Sequence, residues 1–242
     1  MAEILTMGEV IVEIMREKED SALFLPDTFK GPYPSGAPAI FTDTVARLGR
    51  SSAIIGAVGN DDFGKCLTDR LKKDGVSLDY VNQSSEGFTG CAFVTYFSDG
   101  SRKYIFHFDN SAAVDVKSPD LSKETTLKYF HIMGCSLMLN DRFGNDMLSI
   151  AEQLSKKGVK ISFDPNIRKE LMRSTRERDK IQKVLEFTNI FLPGKEELLL
   201  LSQKSNIKDA IEWCFGKDNM ETVVVKNGSK GCTVYTKDNA FS

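Results

Sequence analysis

The chain is poor in the residue types that announce specialised chemistry. Its two histidines, His107 and His131, stand alone in 242 residues with no ligand-type spacing, which argues against a zinc site. The five cysteines (Cys66, Cys91, Cys135, Cys214 and Cys232) are scattered and form no Cys-x-x-Cys pair. They read as free thiols in a reducing cytoplasm rather than as a disulfide framework. No apolar run approaches the length of a membrane-crossing helix, and the opening MAEILTMGEVIVE carries acids where a secretory signal carries bases. An excess of one charge is also missing. With 32 basic against 34 acidic residues the formal net charge is −2, so nothing electrostatic calls for a nucleic acid or a membrane as partner. Internal repeats, low-complexity tracts and clear linkers are absent as well. The first strand pattern ends in TMGEVIVE with the single Gly8, so no Gly-x-Gly-x-x-Gly follows it and a nicotinamide-dependent dehydrogenase is disfavoured.

What is present is the alternation of an α/β protein. An apolar fraction of 41% over this length supports a substantial core in one domain. Short apolar runs at 3–8, 53–58, 129–133, 159–164, 189–192 and 222–226 predict strands of a mainly parallel sheet. Helical patterns fall between them: Phe41, Val45 and Leu48 share one face, and so do Phe143, Met147, Ile150 and Leu154. Asn206 is placed to cap a helix whose inner face is Ile207, Ala210, Ile211 and Cys214. Two segments interrupt the alternation. Residues 9–34 are strand-like with turns, and 88–108 read as a β-hairpin turning at Asp99-Gly100. They predict a small second sheet standing over the C-terminal edge of the main one, where α/β proteins bind ligands.

Several motifs carry possible chemistry. SGAPAIFTDTVARLG, residues 35–49, opens a helix with small residues, as a chain does when something must approach its backbone closely. GNDDFGKC, residues 59–66, nearly matches a phosphate loop, but Cys66 replaces the magnesium-holding hydroxyl, and Asp61 and Asp62 repel phosphate. A turn with an aspartate capping the helix of Phe63, Leu67 and Leu71 is the favoured reading. FDPNIR, residues 163–168, sets an acid, an amide and a guanidinium at a strand's tip, which suits a phosphorylated ligand or a simple loop ion pair. In LPGKEELLLL, residues 192–201, Glu196 and Glu197 complement a helix N-terminus or hold a water on Mg²⁺. KNGSKG, residues 226–231, is either a hairpin turn or a place where a nucleotide lies against backbone.

In this order, TMGEVIVE, SGAPAIFTDTVARLG, GAVGNDDFGKCLTDRLKKDGV, TGCAFVTYFSDGSRKYIF, FDPNIR, LPGKEEL and VVVKNGSKG resemble the ribokinase-like (PfkB) carbohydrate kinases, in the flavour of the fructokinase and 2-keto-3-deoxygluconate kinase branch. The resemblance extends over essentially the whole chain. It implies a three-layer α/β fold with a mainly parallel central sheet, and a small β-sheet lid formed by segments about 10–34 and 88–110 of a single domain, 1–242. It implies transfer of the ATP γ-phosphate to a sugar hydroxyl, with Mg²⁺, and no nucleic-acid or membrane partner. Carried over residue by residue, it puts Glu13, Ser35, Gly36, Ala37, Tyr104 and Phe106 at the sugar. It puts Asp164, Asn166, Arg168, Lys226, Gly228 and Gly231 near the phosphates and nucleotide, and Glu197 near magnesium through water. Ile40 stands where the family has an Asn, Gly194 where its N-x-x-E motif begins, and Asp109-Asn110 where keto-acid sugar kinases have an Arg; a neutral sugar is expected. The family's catalytic Gly-Ala-Gly-Asp run is not found before Ser242, so these residues alone are expected to turn over little. A non-catalytic sugar- or nucleotide-binding module on the same fold is the competing expectation. Pairing of two copies through the lid sheet is the oligomeric one.

Overall fold

The computed structural model describes residues 2–122, 124–167 and 175–242, which fall into two compact units, Met1–Thr126 and Leu127–Ser242. In the first, β1 (Ile4–Met7), β4 (Ser52–Gly59) and β5 (Val81–Ser84) are parallel, with Ile4 opposite Ser52 and Gly56 opposite Val81. Every residue of β4 is buried, as a strand covered on both faces requires. Ile54 and Val58 pack with Ala39 of α1 (Ala37–Arg47) and with Leu67 and Leu71 of α2 (Asp62–Lys73).

Helix α1 buries a different face from the one its larger residues predict. Pro38, Ala39 and Thr42 are buried, Phe41 and Val45 are half-buried, and Leu48 lies beyond the helix end, 77% exposed. The reason is close approach. Small side chains let the helix backbone come near β4, where the Ser52 hydroxyl donates to the Thr42 carbonyl at 3.0 Å.

The interrupting segments form the small sheet, in the order β3 (Phe29–Ser35), β2 (Ile11–Arg16), β6 (Cys91–Tyr96), β7 (Arg102–His107). Its outer pairs are antiparallel and β2–β6 is parallel. The predicted hairpin turn is present, with Gly100 at φ +81° and its N–H donating to the Phe97 carbonyl.

In the second unit β8 (Tyr129–Met133), β9 (Lys160–Asp164), β10 (Thr188–Phe191) and β11 (Thr222–Lys226) run parallel side by side. The antiparallel β12 (Cys232–Tyr235) and β13 (Ala240–Phe241) follow. Helices α3 (Asp141–Lys156), α4 (Thr175–Leu185), α5 (Lys195–Ser202) and α6 (Ile207–Phe215) intervene. The predicted stripe Phe143, Met147, Ile150 and Leu154 is buried on α3. Asn206 caps α6, accepting the Asp209 N–H at 3.0 Å. Phe163 and Phe191, opposite one another on β9 and β10, stack at 5.8 Å and anchor this core just below the strand tips.

Candidate active site

The phosphate-loop spacing of residues 59–66 does not make a phosphate cradle. Asp61 folds back over its own turn, its Oδ1 accepting the Gly64 N–H at 2.8 Å to cap α2. The space a phosphate would take is filled: a Cβ on Gly59 would lie 2.6 Å from Asp61 Oδ2 and 2.6 Å from the Thr89 nitrogen.

The residues expected at a sugar lie on the first unit. Glu13, Ala92 and Phe106 are register partners on β2, β6 and β7, so their side chains share one face of the small sheet. Tyr33 of β3 is opposite Glu13 and continues the row. Tyr104, two residues from Phe106, stacks on it at 5.2 Å with the rings within 9° of parallel. The Ser35 hydroxyl donates to Glu13 Oε2 at 3.4 Å. Gly36, at φ +100°, turns the chain from β3 into α1, and Ala37 starts the helix. The face thus combines a half-buried carboxylate, a hydroxyl and flat aromatic rings, which suits a ligand with ring hydroxyls and apolar C–H surfaces. Ile40 is 53% exposed and offers no hydrogen bond from its side chain.

A second cluster sits at the strand tips of the second unit. Lys226, at the end of β11, reaches across β10 and donates from Nζ to both oxygens of Asp164, each at 2.7 Å. Burial pushes the Asp164 carboxyl up; the Lys226 ammonium pulls it down, and the charge of Glu197 adds to the upward push. The upward shift prevails, so this carboxylate depends on its cation. Asn166, in the left-handed region at φ +37°, donates its N–H to Asp164 Oδ1 at 3.1 Å. Its side-chain amide points to the sulfurs of Cys135 and Met133, at 3.6 and 3.8 Å. The Glu197 carboxylate ties the same tip to helix α5: Oε2 accepts the Gly194 N–H at 2.7 Å and Oε1 accepts the Ile167 N–H at 2.8 Å. Gly228 and Gly231, at φ +59° and +85°, shape the turn after β11, with open space where a Cβ would point. Arg168 lies outside the described residues.

Two residues in these clusters are not singled out by the sequence. Tyr33 becomes visible only through its register with Glu13. Gly134, which follows β8, donates its N–H to the Asp164 carbonyl at 2.8 Å, and a Cβ there would run into the Pro165 carbonyl. A lone glycine after a strand looks like any turn.

A mostly parallel sheet alternating with helices, together with a separate small sheet, is the architecture of a class of α/β kinases. The chain is a member of the pfkB family of carbohydrate kinases, phosphotransferases whose acceptor is an alcohol group; the family profile matches residues 1–242. Probable fructokinase-4 of Arabidopsis thaliana is 30% identical over 97% of this chain and 72% of its own length. Fructokinase-2 of Solanum habrochaites is 31% identical with the same coverage of both chains. The solved structure of a putative ribokinase II from E. coli, in its apo form, superposes with a TM-score of 0.91 at 38% identity, over 100% of this chain and 78% of that one. A second structure of it, in complex with ATP and Mg²⁺, gives 0.87 at 38% identity, over 100% of this chain and 77% of that one. The fold is therefore the ribokinase-like α/β fold, with a large, mostly parallel sheet and a smaller one. Among the described residues no helix is long and apolar enough to cross a membrane.

Proposed function

We propose that the chain takes ATP with Mg²⁺ and a small neutral sugar, and that the transferred group is the γ-phosphate. The observation that carries the sugar half is the face pairing Glu13 and Ser35 with the stacked Tyr104 and Phe106. Nucleotide use is supported by the E. coli homologue in complex with ATP and Mg²⁺.

Each residue then has a task derived from its own contacts. Glu13 accepts sugar hydroxyl hydrogens and is itself oriented by Ser35. Gly36 and Ala37 leave room for the ring, and the Phe106 and Tyr104 rings cover its apolar edges. Lys226 donates to phosphate oxygens as it now does to Asp164. Gly228 and Gly231 leave open backbone against which a nucleotide can lie. Asn166 and Arg168 are assigned to the phosphates on the strength of the family resemblance. Among the described residues there is no cluster of three or more potential metal ligands. Magnesium with ATP needs few protein ligands, since waters and phosphates complete its shell. Glu197 fits that demand, because each of its oxygens has accepted one N–H and retains a lone pair for a water. The metal, when bound, neutralises charge on the phosphates.

Residues 1–242 contain no Gly-Ala-Gly-Asp run to supply a base and an anion hole. We extend the proposal accordingly: these residues alone bind ligands with little turnover. The cytoplasm is the compartment this reading implies, and pairing with a second copy is assigned to the small sheet, where Ile105 of β7 is exposed, along with Phe24 and Leu25 in the connection between β2 and β3.

The test is a calorimetric titration with fructose, ribose, tagatose, 2-keto-3-deoxygluconate and nucleosides, followed by a coupled phosphorylation assay. Binding of one neutral sugar with negligible turnover is expected. Binding of none, or preference for the carboxylated sugar, would sink the assignment, and brisk turnover would refute the need for the absent run. On the nucleotide side, Gly134→Ala is expected to displace the 164–167 tip, costing about 1–3 kcal/mol of stability and weakening a non-hydrolysable ATP analogue. A folded variant that binds the analogue normally would exclude that tip from the nucleotide site.

A further inference from the structure

Asp61 makes more contacts than a helix cap needs. One oxygen bonded to the Gly64 N–H satisfies the end of α2. The carboxylate also accepts from the Thr89 hydroxyl on Oδ1 at 2.7 Å and from the Thr89 N–H on Oδ2 at 2.8 Å. Thr89 Oγ in turn accepts the Gly59 N–H at 2.9 Å, and the residue is 3% exposed. Burial would raise the Asp61 carboxyl, but the bonds from Thr89 and Gly64 outweigh it and hold it below the ordinary carboxylate range.

Thr89 stands two residues before β6. Around it the backbone is compressed to a degree that only glycine permits. A Cβ on Gly64 would run into the Gly59 carbonyl, and one on Gly59 would lie 2.7 Å from the Gly87 carbonyl. A Cβ on Gly90 would meet Ile11, Phe108 and Ser111 within 3.0 Å. The returning end of the hairpin is fastened at the same place: the Ala112 N–H donates to the Phe88 carbonyl at 2.9 Å, and buried Ser111 donates to the Phe108 carbonyl at 2.8 Å. Next along, the Val12 N–H donates to the Gly90 carbonyl at 3.1 Å, which joins the root to β2 one residue before Glu13. Both feet of the β6–β7 hairpin therefore meet at one knot, and Asp61 is the side chain that closes it.

We propose that Asp61 is a positioning residue for sugar binding: through Thr89 it fixes the root of β6–β7, and so the placement of Ala92, Tyr104 and Phe106 beside Glu13. The inference rests on the sugar-kinase reading of that face. It assigns a purpose to the aspartate that spoils the phosphate-loop match, and it makes Thr89 the residue through which Asp61 acts.

Two substitutions separate this task from capping. Asp61→Asn keeps an oxygen for the Gly64 N–H, and asparagine caps as well as aspartate. It sets an NH₂ group against the Thr89 N–H, donor against donor. Thr89→Val deletes the hydroxyl at nearly constant shape, and Thr89→Ser restores it. For whichever panel sugar the wild type binds, Asp61→Asn and Thr89→Val are expected to raise Kd about tenfold, with Thr89→Ser within about twofold of wild type. Affinity for AMP-PNP stays unchanged throughout. Amide hydrogen exchange is expected to speed up across 91–107 in the two impaired variants and to stay as in wild type across 130–164. Unaltered exchange at 91–107 overturns the rooting, and unaltered sugar affinity with faster exchange overturns its relevance to the ligand. Equal loss of sugar and AMP-PNP binding would mark a general fold defect and overturn it too. A wild-type chain that binds no sugar removes the underlying reading and the sugar half of the inference with it. The exchange experiment then decides the rooting by itself.

Discussion

Replacing Gly36 by alanine is expected to unfold or badly weaken the first unit and to abolish sugar binding. Two costs coincide at this position. The backbone sits at φ +100°, ψ 121°, outside the left-handed helical well, a sparsely populated conformation that costs an L-residue about 1–3 kcal/mol. A Cβ would also run into the Glu9 carbonyl. Neither partner can yield cheaply, since both are backbone, and forced overpacking of this kind costs about 1–3 kcal/mol. The Gly36 carbonyl receives the Ile40 N–H at 2.9 Å, so shifting it disturbs the first turn of α1 along with Ser35. Gly49 supplies the control. It lies at φ +83° with nothing within 4 Å of a Cβ, so Gly49→Ala carries the conformational cost without the collision. Urea melts and a sugar titration on both variants decide the matter. A Gly36→Ala protein no less stable than Gly49→Ala, with wild-type sugar affinity, would show that the junction does not need its close approach.

The second large effect appears on acidification. His131, on β8, is fully buried, with Nδ1 3.0 Å from the Ser162 hydroxyl. Burial, with a smaller contribution from the charge of Lys226, pushes its imidazolium pKa down to about 3. An unfolded chain protonates this histidine near its ordinary 6.5, whereas the folded chain keeps it neutral. The unfolded state therefore binds the extra proton. The stability tied to this group is complete above pH 6.5 and drains away as pH falls toward 3, at about 1.4 kcal/mol per unit. Between pH 7 and pH 5 the expected loss is about 2 kcal/mol. His131→Asn places an amide against Ser162 without a titrating group, and its denaturation midpoint should be nearly level over that interval. Parallel slopes for wild type and variant would assign the acid sensitivity to other groups.

Legibility from sequence followed the range of the interactions involved. The six strands predicted for the main sheet are readable because each is a short, apolar-rich run between helical patterns, and α3 because its buried stripe is made of large residues at helical spacing. The buried face of helix α1 is not legible because what it buries is Pro38, Ala39 and Thr42, side chains whose smallness matters and whose hydropathy says little. Capping by Asp61 is readable, since Gly64 is three residues away; its hold on Thr89 is not, because the two are 28 positions apart. The same holds for the Asp164–Lys226 pair, 62 residues apart, and for the backbone collision that makes Gly134 obligatory. Glu196 and Glu197 look equivalent in a helix's first turn. Only the fold shows that Glu197 spans two connections while capping its own helix.

The connections around Asp164 also set an order of assembly. As the chain leaves the ribosome, this aspartate emerges 62 residues ahead of the lysine that neutralises it, and Ile167 emerges 30 residues ahead of the carboxylate that receives its N–H. β8 and β9 can pair early, but the tip beyond them lacks the Glu197 carboxylate until α5 has been made and the Lys226 ammonium until β11 has been made. A nascent chain arrested before Lys226 thus carries a half-sheltered acid with no counter-charge, at the edge of an otherwise formed core. The tip therefore matures later in synthesis than the strands that carry it.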